Sequence, residues 1–309
     1  MNHEGKRNTK KTRKQKPESI HSRHCSPSRF AQSVATGTCY TEDEVRTIAR
    51  RYNRFQQPKQ RVDADAASVP QLAKQLEERL GQRQEEWLEK SRTTTIDADK
   101  VFRPEAPCSW QTNGREWLST DDIDQVMRQY EDLYDDFKYL GAYPRDAFAK
   151  DPNTGDCIDK MDDVCHVNPF QDKQVKRVAV IFNIDDHTGP GLHWVACYVD
   201  TNKQHKNYGI FYYDSVARPP SKDILAFMES LRHTLDTEYP QDLKLKIHVN
   251  KTQSQYKNTE CGMFSMLFII MCLQDILDFR QICDNMINDD TINMLRSVIY
   301  RPPSICRIK

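Results

Sequence analysis

The sequence predicts an α+β fold with a central buried helix against a sheet and a small helical module ahead of it. Three observations carry this reading. A capped amphipathic segment places Ile123, Val126, Met127, Tyr130, Leu133, Tyr134 and Phe137 at i, i+3/i+4 spacing, a stripe that must face a core. Four β-branched or aromatic runs follow, at 175–184, 192–199, 208–213 and 243–249, each bounded by Gly, Pro, Asp or Asn. Directly after Cys261 the chain reads GMFSMLFIIMCLQDIL, apolar on nearly every side, as a helix inside a domain must be. Helices, then strands, then a buried helix is the segregated order of α+β proteins.

Taken in order, residues 1–30 lack apolar periodicity and read as a basic disordered arm. Residues 1–24 carry eight Lys and Arg against two Glu, a charge of +6 that the rest of the neutral chain balances with −6. Such an arm seeks nucleic acid or serves localisation; equally, it is a solvated terminus. Residues 31–91 form a small helical module. Thr41 and Glu44 make a capping box ahead of Val45, Ile48, Ala49 and Tyr52. After Pro58, Ser68 caps a second helix through Leu72, Leu76 and Leu80. The pattern is similar to SAP-like or helix-extended-helix DNA-binding modules, or to a packing collar, and its apolar face is thin for independent stability. Residues 92–114, with two prolines and three successive threonines, read as a linker. The remaining 115–309 form one domain. It opens at Trp117-Leu118-Ser119 with a helix cap, and its first helix ends before Gly141 and Pro144. An amphipathic helix at 221–235 separates the third and fourth strands, and a last helix is expected at 290–299.

Composition excludes several classes. The 309 residues are 38% hydrophobic, with a mean hydropathy of −0.80. The longest apolar run, 263–273, is interrupted by Ser265 and falls short of the roughly 18–20 residues that span a bilayer. No membrane association is expected. The polar, basic start has no apolar stretch of the kind a secretory signal needs. The ten cysteines contain no CxxC pair, which argues against zinc ribbons and thioredoxin-type redox sites and for reduced thiols. Cys157, Cys165 and His166 fit no standard zinc spacing and read as structural. Cys25 and Cys39 flank a loop and would pair only under oxidation. No cofactor is implied.

Nine histidines and ten cysteines allow chance pairings, so context must select. His193 closes the glycine-bearing loop His187-Thr188-Gly189-Pro190-Gly191 and opens a strand, while Asp214 ends the next one. Adjacent strands would bring the carboxylate beside the imidazole, where it fixes the tautomer and stabilises the imidazolium. Cys261 stands at the start of the buried helix, where the dipole and free N–H groups favour a thiolate. Gly262 lets backbone approach a substrate carbonyl, and Gln255 offers an amide donor for an oxyanion. Nucleophile, base, orienter and oxyanion donor are what a thiol protease requires.

In this order, His193-Trp194, Asp214-Ser215, Gln255 and Cys261-Gly262 resemble the Ulp1/adenain-type cysteine proteases of clan CE. Trp117-Leu118 before an acidic helix start is similar to that family's Trp-Leu-Asn-Asp opening. The resemblance covers about residues 115–285. It implies a papain-like/adenain-like domain with a mixed sheet, His193 as base, Asp214 as its partner, Cys261 as nucleophile and Gln255 in the oxyanion hole. It also implies substrate contact by Trp117, Trp194 and Gly262. The basic arm, the capped Cys-Tyr-Thr helix and the run QYEDLYDDFKYLGAYPRDAF resemble proteases of large DNA viruses, of the African swine fever virus type. Those would cut capsid or core precursors after Gly-Gly or Ala-Gly during virion maturation, in the virion and the host cytoplasm. Asn258-Thr259-Glu260-Cys261 departs from the usual Asn-Gly-x-Asp-Cys. Two other functions stand beside this one. One is deconjugation of a ubiquitin-like modifier in cytoplasm or nucleus; the other is a DNA-binding scaffold with a vestigial protease domain. The expected partners are a structural polyprotein or ubiquitin-like fusion, and nucleic acid through the basic arm.

Overall fold

A computed structural model describes residues 24–158, 164–238, 244–304 and 306. Residues 1–23 of the predicted 1–30 arm lie outside the described residues. Helix α1 (Pro27–Thr36) begins inside the stretch expected to be an arm, because Pro27 occupies the first turn, where its missing N–H costs nothing. Helices α2 (Glu42–Asn53) and α3 (Val69–Leu80) open on the capping boxes of Thr41/Glu44 and Ser68/Gln71. Two short helices, α4 (Trp87–Ser91) and α5 (Ala98–Val101), complete the unit.

This unit has a core of its own, contrary to the thin face expected from sequence. Tyr40, Ile48, Leu72, Leu76, Trp87 and Phe102 are fully buried in it. The 92–114 segment is therefore not a free linker. Val101 and Phe102 belong to this core, and the Val101 carbonyl accepts the Ser26 N–H at 2.9 Å. Apolar residues at so short a spacing carry no period, which is why the reading missed them. Helix α6 (Thr120–Glu131), capped by Ser119 and Asp122, joins the unit to the larger domain. Its Gln129 side chain donates to the carbonyls of Asp99 and Phe102, both at 2.7 Å.

The α6 stripe stops earlier than its spacing predicts. Phe137 does not continue the helix but opens strand β1 (Phe137–Pro144). Its neighbour two along, Tyr139, is buried with it, so 133, 134 and 137, beyond the helix end at Glu131, satisfy a helical period by coincidence. Carboxylates of α6 and its end hold the strand over the helix: Glu131 accepts the Tyr139 N–H at 3.0 Å and Asp124 the Ala142 N–H at 2.9 Å. Gly141, at φ +135°, makes the bulge between Tyr139 and Ala142.

Strands β2 (Arg177–Asn183), β3 (Trp194–Asp200), β4 (Gly209–Tyr213) and β5 (Ile247–Val249) complete a five-stranded sheet in chain order. The outer pairs β1–β2 and β4–β5 are parallel and the inner pairs antiparallel. The sheet is thus mixed. Both faces are covered, so the strands read as continuous apolar runs. Ala179, Ile181, Ala196 and Tyr198 face one core with helix α8 (Cys261–Gln274), whereas Val178, Val180, Phe182 and Cys197 face another with helix α7 (Lys222–Glu238). The first residue of the predicted 243–249 strand lies outside the described residues. Three short helices close the chain: α9 (Phe279–Asp284), which the sequence reading lacked, then α10 (Asp289–Met294) and α11 (Arg296–Ile299) in place of one C-terminal helix. No helix among the described residues is long and apolar enough to cross a membrane.

Six cysteines depart from the reduced state expected. Cys25–Cys39, Cys108–Cys306 and Cys157–Cys165 are disulfides with Cα separations of 5.2, 5.5 and 5.6 Å, inside the range a disulfide demands. Sequence spacing could not reveal the second, which closes 198 residues. The sulfurs of Cys157 and Cys165, joined in the disulfide, and a ring nitrogen of His166 lie within 4.8 Å of one another. Cys197, Cys261, Cys272 and Cys283 are free and buried.

The weight of the 92–114 segment in the N-terminal core is measurable. Phe102→Ala removes a fully buried ring that meets Tyr40 edge-on at 5.3 Å, and should cost about 3–5 kcal/mol in chemical denaturation. A loss below about 1 kcal/mol would mean that the ring contributes little packing, as in a linker.

Candidate active site

The β3–β4 ladder positions the first two groups. Register pairs Ala196 with Tyr213; His193 precedes β3 by one residue and Asp214 follows β4 directly. Both therefore leave the same end of the sheet. The loop into His193 is folded by its own polar side chains. Asn183 Oδ1 accepts the N–H groups of Leu192 (2.9 Å) and Asp185 (3.0 Å), and Asp185 accepts that of Gly191 at 3.2 Å. The Asp185 carboxylate fills the place where a Cβ on Gly189 would stand, 2.1 Å away. That close approach explains the glycine in the loop.

His193 Nε2 donates to Asp214 Oδ1 at 2.6 Å. This leaves Nδ1 as the ring nitrogen free for Cys261, whose sulfur also acts on the imidazole. Cys261 is the first residue of α8, buried, and no side chain caps that helix start. Asp214 is 1% exposed. Its Oδ1 also accepts the Val216 N–H at 2.9 Å, and Asn250 clamps its backbone, accepting its N–H at 2.9 Å and donating to its carbonyl at 2.7 Å. Burial alone pulls the His193 pKa down. The hydrogen bonds to Asp214 and Cys261, and their negative charge, overcome it and raise the value to about 9. The imidazolium is therefore the form this environment favours at neutral pH.

Gln255 is fastened to Ser215, the residue after Asp214. Ser215 donates its hydroxyl to Gln255 Oε1 at 2.6 Å, and its carbonyl accepts the N–H groups of Ser254 and Gln255 at 2.8 and 2.9 Å. Gln255 Nε2 spends one N–H on the Lys257 carbonyl at 2.7 Å, leaving the second as a donor. The following turn is fastened from the C-terminal segment, where buried Asp289 accepts the N–H of Tyr256 at 3.0 Å. Glu260, wholly buried, accepts from Arg115 at 2.8 Å and from the Thr259 N–H at 3.1 Å. This accounts for glutamate just before Cys261: its reach serves both partners.

The tryptophans differ from each other. Trp117 is 46% exposed, whereas Trp194 is 7% exposed with its indole N–H donated to the Leu118 carbonyl at 3.0 Å. Gly262 packs against Leu118 and Trp194, since a Cβ there would lie 3.0 Å from the first and 3.3 Å from the second. Trp117-Leu118, His193-Trp194 and Cys261-Gly262 thus converge. The sequence reading missed Asn250, Asp289, Arg115 and Glu260 as supports, since each acts through backbone groups or a partner over thirty residues away. Ser215 stood within the recognised Asp214-Ser215 pair.

The raised His193 pKa fixes a sign. Its protonation stabilises the fold fully below about pH 6.5, and that contribution is lost as pH rises through about 9. Nuclear magnetic resonance titration of the His193 ring should give a midpoint near 9, falling in Asp214→Asn. A midpoint unchanged by that substitution would remove the carboxylate as the cause.

Residues 126–301 match the Ulp1 protease family, C-terminal catalytic domain. A thiol protease by name, from Acanthamoeba polyphaga mimivirus, is 29% identical over 317 residues, covering 90% of this chain and 93% of its own. A cysteine protease of African swine fever virus is 30% identical over 140 residues, 42% of this chain and 47% of its own. The crystal structure of an African swine fever virus protease superposes with a TM-score of 0.60 at 17% identity, over 91% of this chain and 96% of that one, a likeness of fold. With more than half of its length matched, the chain belongs to the Ulp1 protease family and is a cysteine-type peptidase.

Proposed function

We propose that the protein cleaves polypeptides after Gly-Gly or Ala-Gly, acting on precursors of viral structural proteins in the virion and the host cytoplasm. The observation that carries the chemistry is His193 held between Asp214 and the Cys261 thiol at an uncapped helix start. Cys261 sulfur attacks the scissile carbonyl as a thiolate. The oxyanion takes the second Gln255 N–H and first-turn N–H groups of α8, donors already oriented before the charge appears. The His193 imidazolium gives its proton to the departing amine, leaving an acyl-enzyme. Water then attacks, His193 takes its proton, and thiolate is restored as the acid leaves. Asp214 holds the ring and remains a carboxylate.

The close packing of Leu118 and Trp194 on Gly262 supports a narrow approach to the thiol, with Trp117 at its open side. Side chains just before the scissile bond would meet ring atoms, so glycine is favoured there. Viral relatives support the precursor reading. Other African swine fever virus relatives bear the name SUMO-1 cysteine protease, which supports deconjugation of a ubiquitin-like modifier as the second reading.

A peptide panel against intact ubiquitin-like fusions separates the two: faster cleavage of fusions than of matched Gly-Gly-X peptides would favour the second. Within the panel, Ala-Gly should be cut several-fold more slowly than Gly-Gly, since one methyl is worth about 1–3 kcal/mol, and Leu-Gly nearly refused. Equal rates for Leu-Gly and Gly-Gly would abolish the slot. Trp117→Ala should relax the ranking. Cys261→Ser, nearly isosteric, should stay folded and lose turnover. Ser215→Ala frees the Gln255 amide and should lower kcat about tenfold or more with little change in KM. A kcat equal to the parent's would dismiss Gln255's fixed orientation.

A further inference from the structure

The face of α2 opposite its buried stripe is the least explained surface in the molecule. Thr47, Arg50, Arg51 and Arg54 stand at i, i+3, i+4 and i+7, and the threonine triplet 93–95 faces them across a cleft of about 300 Å³. These seven residues are its whole lining. It therefore presents three guanidinium groups and four hydroxyls, with no carboxylate and no apolar side chain.

We infer that this cleft binds the phosphates of a nucleic-acid strand. The inference is independent of the proteolytic reading, since none of these residues reaches the Cys261 site. Cations near the end of α2 also offset its dipole, but that role needs neither three arginines nor threonines from another segment. Hydroxyls and guanidinium groups together are the donors a phosphodiester takes. The guanidinium donors are largely uncommitted, whereas Thr93, 8% exposed, shares a 2.7 Å hydrogen bond with Ser91 and leaves Thr94 and Thr95 as the exposed hydroxyls of the triplet. Arg54 has no side-chain partner among the described residues. Arg50 pairs only with Asp65, at 2.9 Å, with side chains 59% and 78% exposed, a surface pair of small worth. Arg51 commits one N–H, to the Arg92 carbonyl.

Two features favour a strand over an isolated phosphate. The helix stripe from Thr47 to Arg54 runs about 10 Å, longer than one phosphate group. At its end Phe55, 50% exposed, has Arg92 at 4.6 Å and Arg51 at 5.7 Å from its ring centre. An exposed ring among cations is a platform on which a base stacks. The +6 charge of residues 1–24 adds to the attraction without ordering a ligand. A lipid surface is disfavoured, because Phe55 is the one exposed large hydrophobic residue between 35 and 116.

The test uses the full-length protein and a fluorescein-labelled oligothymidine of about 20 nucleotides, followed by anisotropy over a range of salt. Arg50→Ala/Arg54→Ala should weaken binding about tenfold or more and lower the slope of log K against log salt by about two. Arg54→Glu alone should weaken it as well, and Arg54→Lys should recover most of the affinity. Peptide hydrolysis should be unchanged in all of them, which reports an intact fold. A variant with Lys10, Lys11, Arg13 and Lys14 changed to Gln should bind less tightly but remain sensitive to the Arg50/Arg54 change. Parental binding by the double variant overturns the inference. So does complete loss in the Gln variant alone, which assigns binding to the arm. Displacement of the oligonucleotide by inorganic phosphate or a phosphopeptide at equal phosphate concentration also overturns it.

Discussion

Helix α8 has no polar face to spare: Met263, Phe264, Met266, Phe268 and Ile269 are all fully buried, and Phe268 stacks on Tyr213 of β4 with ring centres 4.8 Å apart. A helix buried on all sides cannot slide or rotate without opening cavities. Its first residue is therefore fixed relative to the sheet. Tyr213 is also the residue before Asp214, so the stacking that seats the helix seats the carboxylate too. The thiol, the imidazole and the carboxylate are set by one packing interface, with hydrogen bonds refining what burial imposes.

This burial would be costly if the charges within it lacked partners. His193, favoured as imidazolium, faces Asp214 on one side and Cys261 on the other. Asp214 receives backbone N–H groups besides the imidazole, and Glu260 meets Arg115. Without Arg115, the buried Glu260 carboxylate would lie unpaired next to Cys261. Arg115 also reaches Asp290, which Lys257 binds at 2.6 Å. The loop that carries Gln255 is thus neutralised from outside the sheet.

The layout and the meeting of His193, Asp214 and Cys261 were legible in sequence for a specific reason. Strand termini, a glycine loop and the change from polar to apolar at Cys261 are local signals, and they fix where His193, Asp214 and Cys261 fall in the fold. The supports were not legible. Asn250 is an unremarked polar residue after a three-residue strand, and Asp289 earns its place by accepting N–H groups 32 and 33 residues back. Phe137 was misassigned because its spacing serves helix and strand alike. The 92–114 segment misled because prolines and threonines suggest a loop, although Val101 and Phe102 are core.

That segment also explains how two cores act as one molecule. Phe102 anchors its start in the N-terminal core. Next, Glu105 pairs with Arg301, and the Ala106 N–H donates to the Arg301 carbonyl at 2.8 Å. Cys108 is bonded to Cys306, while Trp110 packs edge-on against Tyr300 at 4.9 Å and under the Arg296 guanidinium at 4.6 Å. Arg115 then meets Glu260, and Leu118 touches Trp194 through its carbonyl and Gly262 through its side chain. A strap bound at so many points transmits position. Leu118, at its end, carries that position to the wall of the Cys261 site. The N-terminal unit is thereby coupled to the Cys261 site by chain continuity and packing, even though none of its own helices supplies a side chain to the His193, Asp214 and Cys261 cluster.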